Sequence, residues 1–325
     1  MRILITGGAG YIGSHVVKAL GKLGHELTIV DNLSTGFEKA VTFGKLIIAD
    51  LGDRPKMEAI FEDGRFEAVV HFAGSIVVPE SVAEPLRYYQ NNTVNSHALM
   101  TLCERHGVNR FIFSSTAAVY GMPQDGVCTE ESALSPINPY GHSKLMTEFM
   151  LRDLSQANKS FRYVALRYFN VSGADPEGQI GQSFPQATHL IKAACEAAIG
   201  KRSEMDIFGT DYPTKDGTGV RDYIHVTDLA EAHARALEYL EKGGSSEALN
   251  CGYGHGFSVR EVVTRVKEIT GVDFKVNEKP RRPGDPATLT AESSKLIRLT
   301  GWKPRYDDLG VIIKSAYEWE KNRTY

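Results

Sequence analysis

Apolar residues in the first half of the chain come in short unbroken runs, at Ile3–Thr6, Leu27–Asp31, Leu46–Asp50, Ala68–Phe72 and Arg110–Ser115. Runs of that length without polar alternation predict strands covered on both faces. The stretches between them carry apolar residues at helical spacing. Strand and helix therefore alternate, which predicts an α/β fold on a doubly wound parallel sheet. One long helix is expected over Ser81–His106. Pro139 suits the first turn of another, which carries Tyr140, Lys144, Leu145, Glu148 and Leu151, and a sixth strand is expected at Tyr163–Phe169.

Beyond Asn170 the rhythm loosens. A Gly/Pro-rich stretch runs to Gly181, a helix is expected near Pro185–Ile199, and a glycine-rich loop spans Gly209–Arg221. Val226, Leu229, Ala230, Ala234 and Leu237 share one helical face. Ser258 and Glu261 have the spacing of a capping box, Pro280–Pro286 is a basic proline-rich loop, and a final helix is expected near Asp307–Lys321. No internal repeat is present.

With 325 residues, the chain is long enough for about two units, and its 42% hydrophobic and 24% charged content is that of an ordinary globular protein. The balance of 37 Lys+Arg against 40 Asp+Glu, without a basic stripe interleaved with aromatics, argues against nucleic acid as a partner. Cys103, Cys128, Cys195 and Cys251 lie dozens of residues apart without metal-ligand spacing, so no metal site is expected and buried free thiols are. No apolar run approaches the ~18 residues of a membrane span, and the opening strand turns into glycine too early for a signal peptide. The expected location is the cytoplasm.

Candidate chemistry begins where the first strand ends. Gly7, Gly10 and Gly13 stand at G-x-x-G-x-x-G spacing in a strand-to-helix turn, where backbone must approach a pyrophosphate and the free N–H groups of a helix start attract the anion. Asp31 closes the second strand, placed to accept hydrogen bonds from both adenosine ribose hydroxyls and to repel a 2′-phosphate, which favours NAD over NADP. Tyr140 and Lys144 lie one helical turn apart, and a nearby ammonium lowers the ordinary phenol pKa of ~10 toward a usable base. The same spacing recurs at Tyr317 and Lys321, which reads as a solvated helix face. What separates the two pairs is Thr116, in the run Phe113–Gly121 at the carboxyl end of the fifth strand, where ligands of such sheets bind. A strand-end hydroxyl, a tyrosine and a lysine form a set able to move a proton while a hydride is transferred.

The motifs GGAGYIGSH, DNLSTG at 31–36, HFAG at 71–74, FSSTAAVYG, YGHSK and RYFN at 167–170 resemble the extended short-chain dehydrogenase/reductase family. The run 208–230 and RRPGD at 281–285 are similar to its UDP-glucose 4-epimerase branch, and the similarity covers essentially the whole chain. The resemblance implies a Rossmann-type NAD domain over 1–170 and a smaller mixed α/β nucleotide-sugar lobe over 171–325, with some chain crossing back to the sheet. It implies a homodimer packed through the long helices on either side of the fifth strand. It also implies a reaction without net redox change, in which UDP-galactose and UDP-glucose interconvert by transient oxidation at C4. Catalysis would fall to Thr116, Tyr140 and Lys144. Tightly held NAD would be contacted by Gly7, Gly10, Tyr11, Ile12, Gly13, Asp31, Asn32, Asp50, Leu51, Phe72, Ala73, Gly74, Asn92, Tyr140, Lys144 and Tyr168. The UDP-sugar would meet Thr116, Tyr140, Asn170, His189, Asp206, Phe208, Arg221, Tyr223, Arg282 and Asp285, the arginines suiting a diphosphate through their planar fork.

Three positions depart from the branch. Ser75-Ile76 stands where a lysine is usual, His189 replaces an asparagine, and Leu289 occupies a gate where tyrosine accompanies restriction to plain hexoses and a small residue accompanies tolerance of N-acetyl sugars. UDP-N-acetylhexosamines and UDP-pentoses therefore stay open as substrates. A 4,6-dehydratase is disfavoured because Ala117 and Ala118 stand where its acid/base carboxylates belong. A reductase that releases its cofactor, and a catalytically silent dinucleotide sensor, are the other readings; the sensor has no use for a tuned phenolate.

Overall fold

The computed structural model describes residues 1–123, 126–185, 188–282 and 284–325. Seven strands form the main sheet: β1 (Arg2–Thr6), β2 (Glu26–Asp31), β3 (Lys45–Ile48), β4 (Ala68–His71), β5 (Arg110–Ser114), β6 (Arg162–Tyr168) and β7 (Glu247–Cys251). The first six lie within two residues of the expected ends. Their order is β7-β6-β5-β4-β1-β2-β3, and every neighbouring pair is parallel. The order reverses between β1 and β4, so a crevice opens there at the carboxyl ends of the strands. Both faces are covered, as unbroken apolar runs require. Ile3 and Ile5 join one buried cluster with Leu229, Leu237 and Trp302, whereas Leu4 joins another with Val69, Phe111, Phe113 and Leu151.

The second half of the chain, joined by Val127–Cys128 from the first, builds smaller sheets. Val127–Cys128, Val220–Arg221, Phe257–Ser258 and Thr288–Ala291 form one of four strands. Asn170–Ser172 pairs with Tyr223–His225, and Glu204–Phe208 pairs with Lys275–Lys279. It also returns β7 to the main sheet, in register from Glu247 opposite Val164 to Cys251 opposite Tyr168. Helix Val226–Glu241 buries the predicted Val226/Leu229/Ala230/Ala234/Leu237 face. The capping box closes both ways, Ser258 Oγ accepting from Glu261 N at 3.0 Å and Glu261 Oε2 from Ser258 N at 2.8 Å. The last helix, Leu309–Asn322, starts on an Asp308 cap.

The single helix expected over Ser81–His106 is corrected to four pieces: Val78–Ala83, Pro85–Tyr88, a π turn at Tyr89–Val94, and Asn95–Arg105. Pro85 drives the preceding Glu84 out of the helical region, to φ −127° and ψ 58°. In the π turn the Asn92 carbonyl accepts from two side chains, Ser96 Oγ at 2.5 Å and Thr147 Oγ1 at 3.3 Å. The helix expected near Pro185 is Leu190–Ala198; Gln186 and Ala187 lie outside the described residues, as does Pro283 of the Pro280–Pro286 loop. All four cysteines are free and buried, and among the described residues no helix is long and apolar enough to cross a membrane.

One buried ion pair joins helix Pro139–Ala157 to β6. Arg167 Nη2 donates to Glu148 Oε2 at 2.6 Å and Nε to Oε1 at 3.0 Å, with both side chains about 5% exposed. Glu148 also takes the hydroxyl of Ser115. Arg167 Nη1 donates to Tyr120 Oη at 3.0 Å, and that hydroxyl donates to Asn250 Oδ1 of β7 at 2.6 Å. Removing one member strands a desolvated charge, so Arg167→Met is expected to lower unfolding stability by about 3–5 kcal/mol, read by urea denaturation.

Candidate active site

The glycine turn leaves no room for side chains. Gly7 has φ +73°, and a Cβ there would lie 2.5 Å from Ala73 N; one at Gly13 would lie 2.2 Å from Gly7 O. A Cβ at Gly10 would meet only Gly7 O, at 3.3 Å, so its outer side is open. No side chain caps the helix Tyr11–Lys22, which leaves the N–H groups at its start available to an anion. Asp31 is buried, with Oδ2 accepting from Ala9 N at 2.9 Å and Oδ1 from Leu33 N at 2.8 Å. Burial pushes its carboxyl upward and the two N–H groups pull it back. Asn32 donates to Asp50 at 2.7 Å, with buried Leu51 beside it, and the N–H groups of Phe72 and Ala73 fix that strand end to Thr6 O. Ile12 is half-buried against the core, and the Tyr11 hydroxyl donates to Gly173 O at 2.6 Å. This cradle, open at Gly10 and flanked by a buried carboxylate, fits a dinucleotide.

Across the crevice, Asn138 caps the helix that begins at Pro139, its Oδ1 accepting from Gly141 N at 2.9 Å. Lys144, 3% exposed, donates from Nζ to Ser114 O at 2.9 Å and sits 5.0 Å from the Phe113 ring centre. Burial lowers its ammonium pKa to about 8. The Tyr140 phenol is pushed up by burial, and the Thr116 hydroxyl acts the other way. Tyr168 joins them: burial raises its phenol, Tyr140 adds to the rise, and its hydroxyl bonds Ser114 Oγ. A Cβ at Gly74 would lie 3.0 Å from Asn92 Oδ1 and 3.7 Å from Lys144 Nζ. Gly74, Asn92 and Lys144 therefore line one spot. Asn92 in turn holds Ser75 N at 2.7 Å and Ser143 Oγ at 3.0 Å.

The structure thus draws Thr116, Tyr140, Lys144, Tyr168, Asn92 and Gly74 together beside the glycine turn. Ser114 and Ser143, which help fix their positions, escaped the sequence reading, although both lie in the motifs FSST and YGHSK; Ser75 entered it only as a departure. Ile76, where the lysine is usual, is 50% exposed. The solvated face expected at Tyr317 and Lys321 is corrected: Lys321 is exposed, but Tyr317 packs half-buried against the cluster of Ile191 and Ile312.

The other wall comes from the second half. Arg221 Nη2 lies 3.7 Å from Asp285 Oδ1, and Arg282 stands 3.8 Å above the Phe208 ring. Tyr212, with Arg281 4.2 Å over its ring, extends this cluster and was missed because only its arginine neighbours carried a motif. Asn170 lies opposite Tyr223 in a parallel pair, and Asp206 accepts from Asn277 at 3.1 Å. Tyr223 is not brought to this wall's surface; its ring is buried with Ile191, Ala194 and Val262, and burial raises its phenol. His189 precedes helix Leu190–Ala198 with Nδ1 buried and lacking a partner among the described residues, and burial lowers its imidazole pKa. Leu289 lies opposite Arg221 in a parallel pair and packs, half-buried, against the cluster that contains Ala117, Leu145 and Phe169. No cluster of metal-ligating side chains occurs among the described residues.

Residues 3–252 match the model of the NAD dependent epimerase/dehydratase family. A UDP-glucose 4-epimerase of Azospirillum brasilense is 52% identical over 322 residues, 99% of this chain and 92% of that one. The UDP-Glc/GlcNAc 4-epimerase of Campylobacter jejuni is 54% identical with a TM-score of 0.87, covering 98% of both chains. The UDP-glucose 4-epimerase of Brucella ovis, solved in complex with NAD, is 43% identical with a TM-score of 0.94 over 97% of both. Glycine cradle, buried strand-end carboxylate and Tyr-Lys pair are thus features of a chain that belongs to the NAD dependent epimerase/dehydratase family.

Proposed function

We propose that the protein interconverts UDP-galactose and UDP-glucose by reversible oxidation at C4 of the hexose, with NAD held throughout. The observation that carries this reading is the convergence of Thr116, Tyr140 and Lys144 at the carboxyl end of β5, across from an arginine-lined wall. NAD, when bound, accepts the hydride from C4 and returns it. Gly7, Gly10, Gly13 and the first N–H groups of helix Tyr11–Lys22 hold its pyrophosphate, and Asp31 its adenosine ribose. Asn32, Asp50, Leu51, Phe72, Ala73, Gly74, Asn92 and Tyr168 line the rest of its path.

Tyr140 takes the 4-hydroxyl proton as C4 is oxidised and gives it back after reduction, and Thr116 hydrogen-bonds the same oxygen. An ordinary phenol, at ~10, is already protonated at neutral pH and burial raises Tyr140 further, so phenolate requires positive charge nearby. Lys144 supplies it below its pKa of about 8 and binds the nicotinamide ribose. Arg221 and Arg282 grip the diphosphate, Phe208 flanks the nucleotide, and Asp285 takes a ribose hydroxyl. Asn170, His189 and Asp206 complete that grip, which leaves the hexose free to present its opposite face. Residues 1–170 serve as the NAD platform and 171–325 as the sugar-nucleotide lobe, in a cytoplasmic enzyme. Half-exposed Val94, Met146 and Phe149 on the helices flanking β5 support a homodimer through that face.

A second reading concerns range rather than chemistry. Leu289 is smaller than the tyrosine associated with plain hexoses, and the related Campylobacter jejuni enzyme acts on UDP-Glc and UDP-GlcNAc. Both observations favour acceptance of UDP-N-acetylhexosamines alongside the hexoses.

In a coupled assay with UDP-galactose, Tyr140→Phe is expected to lower kcat by ~10²-fold or more while UDP binding persists, and Tyr317→Phe to change neither. Lys144→Met removes the cation that favours phenolate, so the acidic limb of the pH–kcat/KM profile should move about one unit or more to higher pH. Leu289→Tyr should depress turnover of UDP-N-acetylgalactosamine about tenfold relative to UDP-galactose; an unchanged ratio places selectivity elsewhere.

A further inference from the structure

The turn that follows Asp31 folds back onto the glycine turn. Phe37 N donates to Ala9 O at 3.0 Å, Ala9 N donates to Asp31 at 2.9 Å, and a Cβ at Gly36 would fall 2.9 Å from Ala9 C. Residues 31–37 therefore form a flap pressed on Ala9, at the adenosine end of the cradle. The Phe37 ring that ends this flap is met by Tyr325, with ring centres 5.3 Å apart at 45°.

Tyr325 is anchored from behind by the other half of the chain. Its ring lies 5.2 Å from Trp319 at 63°, and Trp319 packs so flat on Gly181 that a Cβ there would come within 2.5 Å of the indole. Arg323 Nη1 donates to Ser183 O at 3.0 Å. Glu320, 2% exposed, pairs with Lys192 at 3.0 Å and Lys201 at 3.1 Å. These contacts fix the base of the segment Trp319–Tyr325, and its far end rests on the flap.

We propose that Tyr325 is a cofactor-retaining residue, which clasps Phe37 and so holds the 31–37 flap closed over the adenosine end of the dinucleotide. The inference rests on the reading that NAD occupies the glycine cradle. A ligand whose adenosine ribose sits against Asp31 leaves only when this flap lifts, and lifting it breaks the Phe37–Tyr325 contact. A reaction that returns its hydride to the same sugar gains from such a catch, because cofactor lost in mid-cycle strands a ketosugar. An aromatic contact of this kind changes a rate about threefold to tenfold.

The test uses the full chain loaded with NAD, freed of excess cofactor, and followed as NAD appears in the protein-free fraction. Tyr325→Ala and Phe37→Ala should each release NAD about threefold to tenfold faster than the unaltered protein. The double variant should be no faster than either single one, and Tyr325→Phe, which keeps the ring, should retain the original rate. A rate for Tyr325→Ala equal to that of the unaltered protein overturns the clasp, as do effects of the two substitutions that multiply. Unaltered protein that holds no NAD and takes up none overturns the dinucleotide reading, and the clasp with it.

Discussion

The bond from Lys144 Nζ to the Ser114 carbonyl is the constraint on which the site depends. A lysine almost wholly removed from water keeps its charge only where acceptors surround it. Here the strand end supplies one, and the Phe113 ring lies beneath the ammonium. The contact locks helix Pro139–Ala157 to the carboxyl end of β5, which fixes Tyr140 one turn earlier and brings it to Thr116. The lowered pKa of Lys144 is the counterpart of that placement. A cation so poorly solvated gains from any negative charge that forms beside it, and Tyr140 can provide that charge.

A second layer keeps this arrangement in register. Ser115, next to Thr116, gives its hydroxyl to Glu148, which lies one turn beyond Lys144 and is itself claimed by Arg167. Through Tyr120 the chain of bonds reaches Asn250, whose side chain donates to Cys128 O at 2.9 Å. The helix that carries Tyr140 and Lys144, the residue next to Thr116 and the strand that closes the sheet are thus tied by one buried polar network through Glu148, Arg167, Tyr120 and Asn250.

Most of the main sheet is legible in the sequence because a strand buried on both faces leaves an unbroken apolar run, as at Ile3–Thr6 and Leu27–Asp31. The glycine turn, Asp31, Thr116, Tyr140 and Lys144 are legible because fixed spacing carries their chemistry. The break-up of Ser81–His106 is not, because its π turn is held partly by Thr147 from another helix, which no local pattern records. The strands Val127–Cys128, Val220–Arg221 and Phe257–Ser258 are too short to show any period. Burial of Tyr223 likewise depends on Ile191 and Val262, far away in sequence.

The strand β7 carries a consequence for how the chain comes to be folded. It is the last strand of the main sheet to be synthesised and lies at the sheet edge beside β6, whose inner residues Tyr163–Arg167 are all buried in the finished protein. While the ribosome works through the residues between Tyr168 and Glu247, the flank of β6 that β7 will occupy is an open β-edge, a template for pairing with any passing strand. Asn250 closes that edge and ties it to Tyr120 in the same step. A chain halted within this interval therefore carries an unpaired β-edge that the finished fold does not have.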